Sequence, residues 1–213
     1  VVQKKSVDKI VFDLIAALQG KDYLKEFILV GGTGLALIIG HRRSIDIDLF
    51  TSKDFNAEQL LEKLESDFAF QMDYMAGSTI KGNSAGIKVD LLAHKYPLIG
   101  DTIEIENIRI ASLDDISAMK VNSVANDGAR VKDFIDLYFL LTDHKYDVES
   151  LLGNYKAKYS QRNTMHALKS LNYFEDVDLS DWPELLKRKD TSWKKIRETI
   201  NKACELYLGR ITG

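Results

Sequence analysis

The chain has 213 residues, 45% hydrophobic and 29% charged, with a formal net charge of -3, 2 prolines and 13 glycines. Such a chain forms one large globular domain or two small ones, and the composition excludes collagen-like and proline-rich disordered architectures. Without a basic excess, any nucleic-acid contact has to rest on a local patch, and the single cysteine, Cys204, excludes an intramolecular disulfide and a multi-cysteine metal site.

No apolar run is long enough to span a bilayer and no signal-peptide pattern opens the chain, so the expected setting is a reduced cytoplasm with no membrane attachment. In chain order, Ser6 is expected to cap a helix through Val7, Ile10, Val11, Leu14, Ile15 and Leu18, ended by Gly20. Phe27 to Val30 reads as a short buried strand that stops at Gly31-Gly32. Thr33 to Ile39 is helix-competent, with Gly40 as its C-terminal cap.

Ile45 to Phe50 alternates with period two, which places Ile45, Ile47 and Leu49 on one face and Asp46, Asp48 and Phe50 on the other. A polar helix follows from Asn56 to about Asp67, with Leu60, Leu61 and Leu64 facing inward. Phe68 to Ala111 reads as strands, with a turn expected at Gly82-Asn83-Ser84 and a hairpin joined at Asn107. From Ser112 onward the pattern is helical, opening on Ser112-Leu113-Asp114-Asp115 as a capping box. Helices are expected over 113–126, 131–142, 147–158, 161–172 and 192–208. The chain therefore divides into an α/β part, residues 1–111, and an all-α part, residues 112–213.

One constellation carries chemistry. A strand that ends in Gly31-Gly32, with the hydroxyl of Thr33 at a helix start, offers free N–H groups and a positive dipole end to a phosphate. Asp46 and Asp48, roughly 7 Å apart along one strand face, can converge on Mg²⁺ or Mn²⁺. Arg42 and Ser44 lie just upstream and Lys88 shares a strand face with Asp90, so these three join the phosphate-binding candidates. Asp90, on its own strand, would complete a set of metal-binding carboxylates and serve as base toward an attacking hydroxyl. A lone Gly-Gly is usually a turn and a lone Asp-x-Asp a solvated strand; the ordered combination is what points to phosphoryl chemistry.

Gly31-Gly32-Thr33-Gly34-Leu35-Ala36-Leu37, followed by Gly40-His41-Arg42-Arg43-Ser44-Ile45-Asp46-Ile47-Asp48-Leu49-Phe50, resembles the first motif of the AbiEii-type nucleotidyltransferases. That family lies in the DNA polymerase β-like nucleotidyltransferase superfamily and includes toxins of abortive-infection and toxin–antitoxin systems, among them the MenT enzymes. Met119-Lys120 and the run from Arg130 to Leu140 are similar to its closing motif, so the resemblance spans roughly residues 27–142.

The resemblance implies an α/β (α+β) fold, a mixed sheet with flanking helices followed by an α-helical half that contributes to the active-site cleft. It implies metal-dependent transfer of a nucleotidyl group from an NTP, with Lys120 and Asp133 active in the site and Arg130 and Asp136 supporting it. The expected acceptor is tRNA, another RNA or a protein, and the expected partner a cognate antitoxin. Two alternatives stand beside this reading: an inactive nucleotide-binding or protein-interaction module, and a small-molecule (antibiotic-type) nucleotidyltransferase. Tyr155, Tyr159, Tyr173, Tyr207, Trp182 and Trp193 are candidates for an acceptor surface, with core packing the commoner role. A basic cluster, Lys187-Arg188-Lys189 with Lys194-Lys195, is a solvated face or an anion contact. His94, His144 and His166 lack metal-ligand spacing.

Overall fold

The computed structural model describes residues 3–161 and 163–212. The chain forms two compact units: the part up to Pro97 together with Asp101–Ser112, and Leu98–Gly100 together with everything from Leu113.

The first unit is a mixed α/β layer. Its helices are α1 (Lys9–Gln19), α2 (Gly31–Ile39) and α3 (Ala57–Phe68), and its strands are β1 (Ile28–Leu29), β2 (Ile47–Thr51), β3 (Gln71–Met75), β4 (Thr79–Ser84), β5 (Ile87–Ala93), β6 (Ile103–Ile105) and β7 (Ile108–Ile110). The seven strands run in the order β3-β4-β5-β2-β1-β7-β6. β2 pairs parallel with β5 and β1 parallel with β7, and the other pairings are antiparallel. Alternation sorts the central strands. Ile47, Leu49, Ile80, Val89 and Leu91 are fully buried, whereas Asp48, Phe50, Lys81 and Lys88 keep solvent contact on the opposite face.

Local chemistry accounts for several of these positions. Asn56 caps α3 by accepting from the Gln59 N–H, and Gly40 closes α2 in the left-handed conformation at φ 65°. Gly82 sits mid-strand because a Cβ there would stand 2.1 Å from the Gln71 carbonyl oxygen and 2.7 Å from the buried Phe70 ring.

Three expectations need correction. Ser6 does not cap α1: it lies in a 3-10 turn (Lys4–Ser6), and its hydroxyl reaches the carbonyls of Gln3 and Ala36. Ile45 and Asp46 both precede β2, so Asp46 stands just outside the strand that carries Asp48, and Ile45 is 59% exposed rather than sharing the face of Ile47. The turn expected at Gly82-Asn83-Ser84 lies at Ala85-Gly86, where φ is 51° and 77°, so Gly82 to Ser84 belong to β4.

The second unit is helical: α4 (Leu113–Asn126), α5 (Val131–Asp143), α6 (Val148–Tyr159), α7 (Met165–Leu171) and α8 (Trp193–Thr212). α4 packs on α5, α6 and α7, and α8 packs on the same three. Asp147 and Ser150 form a reciprocal capping box at the start of α6. Phe134, Phe174 and Trp193 meet in a triangle with ring centroids 5.3 to 5.7 Å apart. Asp115 and Lys158 are fully buried as an ion pair at 2.7 Å, and the Asp115 carboxylate also accepts the N–H groups of Ile99 and Gly100, which fixes that short segment to the helices. Among the described residues, no helix is long and apolar enough to cross a membrane.

Candidate active site

β1 ends at Leu29, Val30 stands at the N-cap position, and the chain turns into α2 at Gly31, whose φ is 66°. Only a residue without Cβ takes that conformation cheaply. A Cβ on Gly31 would also lie 2.3 Å from Asp48 Oδ2, and one on Gly32 would lie 2.3 Å from Arg42 Nη2. The two glycines thus let one carboxylate and one guanidinium lie directly against the backbone at the start of α2. The first N–H groups of that helix have no partner within the helix, and its dipole is positive there.

Thr33 is 1% exposed. Its hydroxyl donates to the Asp46 carbonyl and lies 2.9 Å from Ser44 Oγ. It therefore ties the first turn of α2 to the segment that leads into β2 and sets the position of Asp46. Arg42 is buried as well, with Nη1 donating to the Arg43 carbonyl at 3.0 Å, and the Ser44 N–H donates to the Ser6 carbonyl at 3.0 Å. His41 is fully buried.

Across the sheet the register builds a single row. The Val30 N–H donates to the Asp48 carbonyl at 2.9 Å, Asp48 stands opposite Asp90, Asp90 opposite Lys81, and Lys81 opposite Tyr74. Side chains in one row of adjacent strands share a face. Asp90 is 7% exposed. Its Oδ2 lies 3.5 Å from Lys88 Nζ and 3.8 Å from Lys81 Nζ, while its buried Oδ1 has no hydrogen-bond partner. A buried carboxylate oxygen without a donor carries a desolvation cost that a cation would relieve. Among the described residues, no three acidic, histidine or cysteine side chains are already gathered for a metal. What the sheet supplies in register is the pair Asp48 and Asp90, with Asp46 just before β2. All are oxygen donors, which suits a hard divalent cation. Lys81 escaped the sequence reading because the turn was expected three residues too early, which hid its pairing with Asp90.

The other expected site residues lie in the second unit. Lys120 is 6% exposed, with Nζ 2.6 Å from Asp133 Oδ1 and 2.7 Å from Asp136 Oδ2; the Ser123 hydroxyl donates to Asp133 Oδ2 at 2.6 Å. Arg130 Nε stands 3.9 Å from Asp133 Oδ2. Of the candidate acceptor-surface aromatics, Tyr155 and Tyr159 are buried and Trp193 belongs to the Phe134 triangle, while Tyr173 is exposed.

A mixed sheet with an acid pair in register beside a glycine turn, joined to a helical unit, is a nucleotidyltransferase-like fold. A Helicobacter pylori crystal structure provisionally described as a nucleotidyltransferase shares it over 97% of this chain and 99% of its own, with a TM-score of 0.57 at 18% identity. The crystal structure of JHP933 from Helicobacter pylori gives the same TM-score and identity over 96% and 94%. The chain belongs to the AbiEii nucleotidyltransferase family: the family model described as "Nucleotidyl transferase AbiEii toxin, Type IV TA system" matches residues 13–203. An uncharacterized protein of Aquifex aeolicus (strain VF5) is 31% identical over 187 residues, covering 86% of this chain and 88% of that protein.

Proposed function

We propose that this protein is a metal-dependent nucleotidyltransferase that moves an NMP group from an NTP to an acceptor hydroxyl, and that it acts as the toxin of a type IV toxin–antitoxin pair. The observation that carries the reading is the register of Asp48 against Asp90, with one carboxylate resting on Gly31 and the other holding an unsatisfied buried oxygen.

In this reading the triphosphate lies at the start of α2, against the N–H groups of Gly31 and Gly32, with Arg42, Ser44 and Lys88 as further phosphate contacts. Thr33 acts indirectly, by holding Asp46 through its carbonyl. Mg²⁺ or Mn²⁺ held by Asp46, Asp48 and Asp90 would neutralise charge on the α- and β-phosphates. The acceptor oxygen forms a bond to the α-phosphorus, the bond from that phosphorus to the β-phosphate bridging oxygen breaks, and pyrophosphate leaves. Asp90 takes the hydroxyl proton. The acceptor is an RNA, tRNA included, or a protein, and a cognate antitoxin holds the activity in check. Lys120 and Asp133 are assigned an active part in the site, with Arg130 and Asp136 supporting them, on the strength of the family's closing motif.

The test is transfer of label from α-³²P NTPs to total RNA and to protein, in Mg²⁺ or Mn²⁺, by the wild-type chain and by Asp46→Ala and Asp48→Ala. Label on one acceptor class with wild type and none with either variant is expected. Undiminished transfer by Asp48→Ala overturns the assignment.

A further inference from the structure

We propose that Phe50, His94 and Tyr96 form a nucleobase-stacking subsite beside the acid pair, an inference that rests on the nucleotidyltransferase reading above. Phe50 lies two residues beyond Asp48 on β2, so it points to the same face about 7 Å further along the strand. His94 follows β5 directly, and its N–H donates to the Thr51 carbonyl at 2.7 Å, which carries the parallel ladder one residue past the strand. The Tyr96 N–H donates to the His94 carbonyl at 2.7 Å, a tight three-residue turn that folds Tyr96 back over the imidazole. The ring centroids are 5.4 Å apart from Phe50 to His94 and 4.9 Å apart from His94 to Tyr96.

These rings are not core packing of the usual kind. Phe27 and Phe70 in the same unit are 3% and 4% exposed, whereas Tyr96 is 44% exposed and Phe50 and His94 are half-buried. Their position also follows the order of a nucleotide's parts. The start of α2, where the phosphates are proposed to lie, rests beside the stretch from Ser44 to Asp48, and the aromatic run follows from Phe50 onward along β2. A nucleotide presents polyphosphate, reacting phosphorus, sugar and base in that same order. Aromatic faces stack on any base, so the subsite adds affinity without by itself choosing a base.

The base belongs to the bound NTP or to a terminal nucleotide of an RNA acceptor, and binding measurements separate the two. Titration calorimetry with Mg²⁺ would compare wild type, Tyr96→Ala and Phe50→Leu. The probes are the four ribonucleoside triphosphates, inorganic tripolyphosphate and a mixed-sequence single-stranded oligoribonucleotide. Loss of about tenfold in NTP affinity, with tripolyphosphate affinity unchanged, supports a stacked donor base. Unchanged NTP affinity with a similar loss for the oligoribonucleotide supports a stacked acceptor base. Tyr96→Phe is expected to keep wild-type affinity in either case. If wild type binds NTP and the variants bind both base-bearing probes as tightly as wild type does, the subsite is overturned while the nucleotidyltransferase reading stands. If wild type binds neither NTP nor tripolyphosphate, the underlying reading fails and the subsite with it.

Discussion

Asp48 and Asp90 stand opposite each other on adjacent parallel strands, one carboxylate against the bare backbone of Gly31 and the other with a buried oxygen that nothing donates to. Like charges directly across a strand pair repel, and two loosely placed lysines at 3.5 and 3.8 Å offset this only in part. A fold keeps such an arrangement when the acids serve something other than stability. Asp90→Asn should therefore change unfolding free energy by less than about 1 kcal/mol in either direction. The same substitution should lower nucleotidyl transfer by more than about 100-fold, a loss that even second-layer partners of metal ligands can cause. Thermal melts beside transfer assays check both halves, and a large stability loss would show Asp90 to be a structural residue.

The glycine turn makes a sharper demand. Gly31→Ala places a methyl group 2.3 Å from Asp48 Oδ2 at a φ of 66°. The left-handed conformation alone costs an L-residue about 1–2 kcal/mol, and the carboxylate must move as well. Activity should fall as far as in Asp48→Asn, with only a modest drop in melting temperature. Gly153→Ala is the matched control. Gly153 lies inside α6 and a Cβ there meets nothing within 4 Å, so this substitution should stabilise the chain by up to about 1 kcal/mol and leave transfer unchanged.

Lys120 invites a different expectation from the one its motif suggests. Its ammonium is shared between two buried carboxylates, Asp133 and Asp136, inside the helical unit. Lys120→Met leaves both acids without that cation and should cost about 3–5 kcal/mol. Replacing Asp136 by Asn in the same chain should recover part of the loss, because one buried charge is removed. Chemical denaturation followed by far-UV circular dichroism measures both. A Lys120→Met chain that melts like wild type but transfers nothing would instead place the lysine on the substrate.

The pair Asp48 and Asp90 was legible in the sequence because strand alternation is a local property: Ile47-Asp48-Leu49 and Lys88-Val89-Asp90 display their faces without knowledge of their neighbours, whereas Asp46, expected on the same strand face, lies just before β2. The helical half was legible for the same reason: α4 runs over the expected residues, Leu113 to Asn126, although the helix expected over 161–172 begins only at Met165. Register was not. Which residue faces Asp90 across β4 depends on whether the hairpin turns at Gly82 or at Gly86. Both offer a glycine; in the structure Gly82 lies against Phe70 within the strand and the chain turns at Ala85-Gly86. The same limit hid Lys81 and the run from Phe50 to Tyr96, whose rings come from separate strand ends. Ser6 misled for a related reason, since a hydroxyl that looks like a cap is used instead to hold the Ala36 carbonyl, thirty residues away.

Cys204 supplies a prediction with a defined pH dependence. The thiol is buried on α8, and burial pushes it up from an ordinary value of 9.0 to about 11. A thiol raised on folding contributes stability that is fully present below the unfolded value and is lost as pH rises through the folded one. The contribution is therefore intact at neutral pH and fades between about 9 and about 11. In native protein at pH 8 the thiolate is scarce and shielded, so a disulfide-exchange reagent should label Cys204 only as fast as the helical unit opens. Denaturant should make labelling immediate, and Cys204→Ala should flatten the alkaline limb of the stability curve. Rapid labelling of the folded chain at pH 8 would show that α8 does not cover this thiol in solution.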